Sequence, residues 1–218
     1  MAEKVKEPLY LIVGKSGSGK TSIVNYLKND AGLMPVESYT TRAPRYITET
    51  GHIFLYPMTI ETAMQAYPER VAETVFDGHF YFVTPKQLED ASLYVIDPVG
   101  VQSFKKNYKG SRPYRVVYIK CGVVKRIVRM IRRGDGLKAA IRRVLFDRKQ
   151  GFEAVEAEAD LVVVNDKTVA EAARIIAERV YDDVMKERIK ADIAKAKAEK
   201  AQDGSSPLKR TKNVPEVK

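Results

Sequence analysis

The sequence has few of the residues on which disulfides and zinc sites depend, and it lacks long apolar runs. Its 218 residues include one cysteine and two histidines. A lone cysteine excludes an internal disulfide, and the absence of any run of about 18 apolar residues argues against a membrane-spanning helix. The stretch MAEKVKEPLYLIV lacks the apolar segment and cleavage site of a signal peptide. We therefore expect a cytoplasmic protein with no membrane partner.

Acidic residues are outnumbered mainly in two segments. The formal net charge is +10, and residues 125–150 carry ten Lys/Arg against two acidic residues. Residues 186–218 carry ten against five. Because the basic charge is local, general nucleic-acid binding is not expected. The text after Met185 predicts a basic helical extension to about residue 201 and then a disordered tail, either simply solvated or in contact with nucleic acid or an acidic partner.

Apolar runs that alternate with helical patterns indicate an α/β fold with a parallel sheet covered by helices on both faces. Residues 36–84 instead suggest a small β-rich lobe, with short aromatic strands between turn signals. The predicted strands are 9–13, 52–56, 79–83, 92–97, 114–119 and 161–164, and the predicted helices are 21–30, 59–66, 85–90, 99–106, 122–132, 138–157 and 168–186.

The clearest motif is GKSGSGKT at residues 14–21, which matches the P-loop pattern between a predicted strand and a predicted helix. Its glycines let backbone N–H groups approach phosphate oxygens closely, and the helix N-terminus adds its positive dipole end. Lys20 supplies a charge for the β- and γ-phosphates, and the Thr21 hydroxyl suits a Mg²⁺ shell. The residues expected to bind ATP or GTP are Gly14, Lys15, Ser16, Gly17, Ser18, Gly19, Lys20, Thr21 and Ser22.

A second motif, SYTTRAPRY at residues 38–46, places Arg42 and Arg45 among hydroxyl groups. Two guanidinium forks suit the oxygens of a phosphate monoester. On these residues alone, a solvated pair of surface arginines explains the motif equally well.

These motifs, followed by GHFYFV, YVIDPVGV and VVVND, stand in the order seen in guanylate kinases, and the resemblance covers about residues 8–185. It implies a P-loop NTPase core at 8–35 and 90–185, an inserted NMP-binding lobe at about 36–84, and a basic helical lid at about 129–147. The domain would span residues 1–185, with 186–218 as an extension. The implied activity is transfer of the γ-phosphoryl group of ATP to GMP or dGMP with Mg²⁺, in a monomer or a homodimer.

The resemblance also implies roles for single residues. Ser38, Arg42, Arg45 and Tyr81 would bind the acceptor's phosphate, and Glu73 would accept from guanine. Asp97 would lie near the guanine and near Mg²⁺ through water, while Thr84 is the hydroxyl nearest to the family's base-reading Ser/Thr. Asn165 would lie near the adenine. Phosphoryl transfer would depend on Lys20, Arg129, Arg133 and Arg143.

The sequence departs from the family at several positions. Phe54 replaces a tyrosine, Tyr46-Ile47-Thr48 replaces the Gly-Glu step with Glu49 one place late, and Phe82-Val83 replaces Gly-Ser/Thr. All of these departures fall within residues 36–84, the lobe expected to bind the acceptor, so they bear on base specificity. The side chains expected only to pack or to be solvated are His52, His79, Arg126, Arg132 and Arg142, with Arg148 a weaker lid candidate and Cys121 a half-buried strand end.

Two alternatives stay open. Because the two arginines would bind phosphate and not a base, the acceptor could be a modified nucleotide or a ribosyl bisphosphate. The second alternative is a non-catalytic guanylate-kinase-like module that binds phosphate groups or peptides. Modules of that kind usually have a damaged P-loop, whereas Lys20 and Thr21 are both present in this chain.

Overall fold

The structure is a computed structural model that describes residues 7–203, with side chains described for residues 7–199. Within these residues lie eight strands and eight helices. The strands are β1 (Leu9–Val13), β2 (Ser38–Thr40), β3 (His52–Phe54), β4 (Ala72–Phe76), β5 (His79–Val83), β6 (Leu93–Val95), β7 (Tyr114–Lys120) and β8 (Leu161–Val164). The helices are α1 (Lys20–Ala31), α2 (Ile60–Ala66), α3 (Pro85–Leu88), α4 (Pro98–Asn107), α5 (Val123–Arg132), α6 (Leu137–Asp147), α7 (Phe152–Ala157) and α8 (Val169–Asp203).

The main sheet has the strand order β6-β1-β7-β8, and all of its pairs are parallel. Strand β1 is central, and its five residues are all buried. Alternate residues of a strand point to opposite faces, so Leu9, Leu11 and Val13 join one apolar cluster while Tyr10 and Ile12 join another. Helices α1 and α8 cover the second face, and α4 and α7 cover the first. The predicted fold class, a helix-flanked parallel sheet with a second small sheet, is confirmed.

The smaller sheet has the strand order β3-β2-β5-β4 and mixed directions. Strand β2 pairs with β3 in parallel and with β5 antiparallel, and β4 and β5 form a hairpin. Phe80 and Phe82 on β5 pack with the partly buried Tyr39 and Tyr67 on the face turned away from Tyr81. The alternation on β5 thus separates a core face from a face that is free to line a site.

One predicted helix is wrong as a continuous element. Residues 138–157 form α6 and α7, separated by a turn that ends at Gly151, whose φ is 76°. A left-handed residue cannot continue an α-helix, and glycine adopts this conformation at little cost. The last helix does extend beyond residue 186, as predicted, and Cys121 is half-buried directly after β7. The predicted disordered tail lies outside the described residues.

None of the helices between residues 7 and 203 combines the length and the apolar character needed to cross a bilayer.

Candidate functional site

The candidate site lies at the carboxyl edge of the main sheet. Because its strands are parallel, the residues that follow them meet at one edge: Gly14 after β1, Asp97 after β6 and Asn165 after β8. In open α/β sheets this edge is where ligands bind. Strand order alone therefore brings the P-loop together with two polar residues that are far apart in the sequence.

The P-loop takes its shape from two left-handed glycines, Gly17 with φ 74° and Gly19 with φ 97°. A Cβ at Gly17 would lie 2.7 Å from the carbonyl oxygen of Arg126, and one at Gly19 would collide with the Asn165 amide. Both positions therefore require glycine for backbone conformation and for close packing. The loop is pressed against α5 and the end of β8.

Three side chains hold the carbonyl groups of this loop. Arg126 Nε donates to Ser16 O at 2.8 Å, Arg129 Nη1 donates to Ser18 O at 3.2 Å, and Asn165 Nδ2 donates to the same oxygen at 2.8 Å. In a trans peptide the N–H points opposite to the C=O. The N–H groups of Gly17 and Gly19 are thereby turned away from these side chains, as a phosphate cradle requires.

Lys20 begins α1, and its ammonium folds back onto the loop. Nζ donates to Gly14 O at 2.5 Å and to Lys15 O at 3.3 Å. Burial lowers the pKa of Lys20 to about 8, against the attraction of Asp147. Lys15 pairs with Glu153 at 2.5 Å, and the side chains of Thr21 and Ser22 lie on exposed positions of the first turn. The Lys20 ammonium is thus held at the loop by two carbonyl groups, which a phosphate could replace as its hydrogen-bond partners.

A cavity of about 250 Å³ joins the P-loop to the small sheet. Gly14, Ser16 and Lys20 line one end, and Ser38, Glu73 and Tyr81 line the other, with Asp97 among the lining residues. The predicted nucleotide loop and several of the predicted acceptor residues therefore open into one space.

Most N–H groups of the Arg42 guanidinium are already hydrogen-bonded and are not free to bind a ligand in this cavity. Its Nη1 and Nη2 contact the Glu49 carboxylate at 3.1 and 2.8 Å, Nη1 also donates to Ala43 O, and Nε donates to Tyr81 Oη at 3.2 Å. Four of its five N–H donors are thus engaged. The Arg42 hydrogen bonds lower the pKa of Glu49 to about 2, and the Arg45 guanidinium, whose side chain is 65% exposed, lies 3.5 Å from Glu49. Arg45 is therefore the more available arginine of the pair.

Ser38, His52 and Tyr81 form one wall of the cavity. Ser38 Oγ and His52 Nδ1 share a hydrogen bond of 2.9 Å, and the His52 and Tyr81 rings lie 5.6 Å apart. His52 packs against Tyr81 and Phe54, in line with the expectation that it packs or lies at the surface, and it also lines the cavity. His79, on β5, lies outside that lining.

Glu73 and Asp97 lie at the end of the cavity beside α4. Glu73 Oε2 accepts from Arg70 Nε at 2.5 Å, which leaves Oε1 without a partner among residues 7–199. Asp97 caps α4: its Oδ1 accepts from Gly100 N at 2.7 Å, and its Oδ2 accepts from Thr74 Oγ1 at 2.8 Å. Both Asp97 oxygens are therefore engaged, while Oε1 of Glu73 accepts no hydrogen bond among residues 7–199.

Thr84, predicted to contact the acceptor, serves another purpose. It is the N-cap of α3, its Oγ1 donates to Gln87 Oε1 at 2.6 Å, and it does not line the cavity. Phe82 and Val83 are both fully buried in the core. A hydroxyl that could read a base is therefore not supplied by residues 82–84, and the hydroxyl that β4 contributes to the cavity lining is that of Thr74.

Arg126 is not the solvated lid residue that the sequence suggested. It is 5% exposed and pairs with Asp147, the last residue of α6, which is 2% exposed. Asp147 also accepts from Ser16 N at 2.9 Å and from Ser16 Oγ at 3.0 Å. A buried guanidinium needs such a partner because desolvation penalises an unpaired charge. Through their hydrogen bonds to Ser16, Arg126 and Asp147 connect helices α5 and α6 to the P-loop.

The other arginines of segment 125–150 take different positions. Arg133 donates to Asp135 at 2.5 Å, and the pKa of Asp135 is lowered first by Arg133 and then by Arg143 and Arg45. The Asp135 carboxylate thus lies within electrostatic range of Arg133 and Arg143 from the basic segment and of Arg45 from the small lobe. Arg129 instead supports the P-loop, and its Nη2 donates to Asn165 O. Arg132, Arg142 and Arg148 are exposed.

Sequence reasoning missed Asp147, Thr74 and the place of His52 in the cavity lining, and it misassigned Arg126. Asp147 pairs with a residue 21 positions away across a helix–turn–helix, so no local spacing reveals the contact. Thr74 faces the cavity through its place on β4, a strand that turn and periodicity signals did not define. The one signal that could have indicated Asp147 is that it is one of only two acidic residues among the ten basic residues of segment 125–150.

The Arg126–Asp147 pair gives a stability prediction. We expect Asp147→Ala to lower the free energy of unfolding by about 3 kcal/mol, because it leaves a buried guanidinium unpaired. The double variant Arg126→Leu/Asp147→Ala should regain most of that loss, because an apolar pair avoids desolvation. Urea unfolding measures both. Arg132→Leu, on an exposed position of the same helix, is the control. Equal losses in the single and the double variant would contradict this interpretation.

Comparisons with known proteins bear on the fold. No family model matches the chain, and a search of curated proteins finds no match either. Among solved structures, the chain is similar to the crystal structure of guanylate kinase from Anaplasma phagocytophilum, with 24% identity over 81% of this chain and 87% of that chain. The TM-score is 0.55. The P-loop, the helix-flanked parallel sheet and the second small sheet, together with this similarity, give the chain a guanylate kinase-like fold.

Proposed function

We propose that the protein is a nucleoside monophosphate kinase that transfers the γ-phosphoryl group of ATP to GMP or dGMP. One observation carries the proposal: a single cavity is lined by P-loop residues at one end and by Ser38, Tyr81 and Glu73 at the other. A donor and an acceptor nucleotide bound there would have their phosphates directed toward each other. Positioning of this kind is the main requirement for phosphoryl transfer.

At the donor end, the inward N–H groups of the P-loop would bind the ATP phosphates, and Lys20 would exchange its carbonyl partners for phosphate oxygens. Mg²⁺ takes oxygen ligands and keeps several waters. The Thr21 hydroxyl fits that preference, and Asp97, whose two oxygens already accept hydrogen bonds, fits better through water than directly. When bound, the ion would neutralise charge on the transferring phosphates.

At the acceptor end, Arg45, the Tyr81 hydroxyl and the remaining N–H of Arg42 would bind the monophosphate. Glu73 Oε1 would accept from guanine, whose edge offers N–H donors where adenine offers an acceptor at N1. The acceptor's phosphate oxygen would attack the γ-phosphorus while the bond to the ADP oxygen breaks. No separate base is needed, because that phosphate is already anionic near neutral pH.

The lid arginines would stabilise the charge that spreads over the transferring group. Arg133, Arg143 and Arg45 all lie close enough to Asp135 to lower its pKa. Movement of this end of the lid toward the cavity would bring them onto the phosphates and exclude water, which suppresses ATP hydrolysis. Preorganised donors in a dry site act mainly by electrostatic stabilisation.

A second candidate acceptor is supported by the core positions of Phe82 and Val83, which remove a base-reading hydroxyl. The acceptor would then be another small phosphorylated molecule, such as a modified nucleotide or a ribosyl bisphosphate.

The test is ADP production from Mg·ATP with GMP, dGMP, AMP, CMP, UMP and dTMP, against a blank without acceptor. We expect turnover above the blank with GMP and dGMP. Turnover with none of the six, from protein that binds ATP, would reject the nucleoside monophosphate kinase and favour the second candidate or a binding module.

Lys20 gives a prediction with a pH dependence. Lys20→Met should lower kcat/KM by about 100-fold, because a phosphate donor is lost, while the exposed control Lys28→Met should not. Since the pKa of Lys20 is lowered to about 8, the empty protein loses this charge as the pH rises above 8. ATP affinity of the wild type should therefore weaken from pH 7 to pH 9. Calorimetry would contradict this if Lys20→Met weakened equally over that range.

The two arginines of the acceptor lobe should behave differently. Arg45→Ala should raise the KM for the acceptor about tenfold, or about 1.4 kcal/mol, with Tm unchanged, because its side chain is exposed. Arg42→Ala should raise that KM and also lower Tm, because Glu49 is left 7% exposed without its main partner. Arg174→Ala, which removes an exposed charge on α8, is the control. An equal rise in the KM for ATP would exclude the acceptor role.

A further inference from the structure

His52 is a cavity residue to which neither the P-loop chemistry nor the family resemblance assigns a role. It begins β3, where its backbone pairs with Ser38, and Phe54 lies two residues later on the same face of the strand. The His52 ring lies 6.0 Å from the Phe54 ring and 5.6 Å from the Tyr81 ring. These contacts fix the imidazole in the wall of the cavity, beside the residues expected to bind the acceptor's phosphate.

One nitrogen of His52 is engaged and the other remains for a ligand. Nδ1 shares a hydrogen bond of 2.9 Å with Ser38 Oγ. Among residues 7–199, Nε2 has no hydrogen-bond partner. A hydrogen bond at one ring nitrogen orients the imidazole and determines what the other nitrogen can offer. The geometry therefore leaves a single polar atom for a molecule in the cavity.

The phosphate site around His52 has few donors of its own. Four of the five N–H groups of Arg42 are engaged, and the ring under its guanidinium is Phe54, which has no hydroxyl. A phosphate dianion accepts several hydrogen bonds, and each unsatisfied oxygen is costly away from water. The Ser38 hydroxyl on this wall is already bonded to His52 Nδ1. Without another donor, Arg45 and Tyr81 would have to satisfy the dianion almost alone.

The surroundings of His52 favour its neutral form. Burial and then Arg42 lower its pKa, Arg45 acts in the same direction, and Glu49 and a backbone hydrogen bond with Ser38 act in the opposite direction. Tyr81 on β5 is the other titratable group packed against the ring. A phosphate dianion arriving beside the ring would reverse this balance by favouring the imidazolium.

We propose that His52 is an acceptor-binding residue whose Nε2–H donates a hydrogen bond to the phosphate of the acceptor. The inference rests on the proposed function, because it takes the acceptor to be a phosphate monoester bound in this cavity. It makes His52 the donor that replaces the missing hydroxyl of Phe54. Binding would take up a proton from solvent, and acceptor affinity would strengthen as the pH falls through the interval between the pKa of His52 in the empty protein and that in the complex.

The chain suits a direct test, because it contains only two histidines and the second, His79, also lies in the small sheet but outside the cavity lining. The imidazole C–H signals of the full chain can be followed by NMR against pH, and His52→Gln and His79→Gln assign them. We expect saturating GMP to raise the titration midpoint of His52 by about one pH unit and to leave that of His79 unchanged.

Two probes separate this inference from the proposed function. If inorganic phosphate moves the His52 midpoint and GMP does not bind, the phosphate role stands and the GMP acceptor is rejected. If GMP saturates the protein by calorimetry and the midpoint stays in place, the inference is overturned whatever the activity. An unchanged midpoint with both probes overturns it as well.

A matched pair of variants separates binding from packing. Glutamine places an amide near Nε2 and asparagine places one near Nδ1, so His52→Gln keeps a neutral donor toward the ligand while His52→Asn keeps only the contact with Ser38. We expect His52→Asn to raise the KM for the acceptor about tenfold with the KM for ATP unchanged. His52→Gln should raise the KM for the acceptor less. Because glutamine does not titrate, the KM of this variant should change with pH only as far as the ionisation of the acceptor itself requires. Equal KM values in the wild type and both variants would reduce His52 to a packing residue.

Discussion

The site depends on the orientation of two peptide units, Ser16–Gly17 and Ser18–Gly19. Their carbonyl oxygens accept from Arg126, Arg129 and Asn165, and their N–H groups consequently point to the opposite side. Two of the three donors belong to α5, the first helix of the basic segment, and the third follows β8. Part of that segment's charge is thus used to shape the P-loop before any nucleotide arrives, and less of it is left for the transferring phosphate than the sequence implied.

Carboxylates accompany the arginines throughout the site. Arg42 pairs with Glu49, Arg126 with Asp147, Arg133 with Asp135, and Arg70 with Glu73. Such pairing keeps several cations together in the folded protein, because unpaired charges would repel one another and the buried ones would be poorly solvated. A phosphate must either exchange with a carboxylate or use the donors that remain. The more exposed pair Arg133–Asp135 could give up its carboxylate for a phosphate. The buried pair Arg126–Asp147 is expected to stay intact and to stabilise the fold.

The sequence predicted the core and the P-loop well, because both are coded locally. β1 is a continuous apolar run, and GKSGSGKT has a spacing that few other structures require. The pairs Arg126–Asp147 and Arg42–Glu49 could not be predicted in the same way, since each depends on where a turn directs the next element. The sequence marked Glu49 only as standing one position later than the glutamate of the family motif. Its carboxylate nevertheless accepts hydrogen bonds from the Arg42 guanidinium and from the backbone N–H of Arg45. Thr84 was misassigned because the sequence does not distinguish a hydroxyl that caps a helix from one that contacts a ligand.

Recognition of the acceptor should therefore depend more on its phosphate than on its base. At the base end, Asp97 has both oxygens engaged, Glu73 has one oxygen held by Arg70, and Val83 supplies no hydroxyl. One charged hydrogen bond contributes about 1.5–3 kcal/mol, which corresponds to roughly 10- to 200-fold discrimination. Larger ratios arise when several buried polar groups are left unpaired by the wrong substrate. This cavity offers such a set where Tyr81, Ser38 and His52 line one wall. Under the proposed function, we therefore expect stronger selection for the monophosphate than for the base.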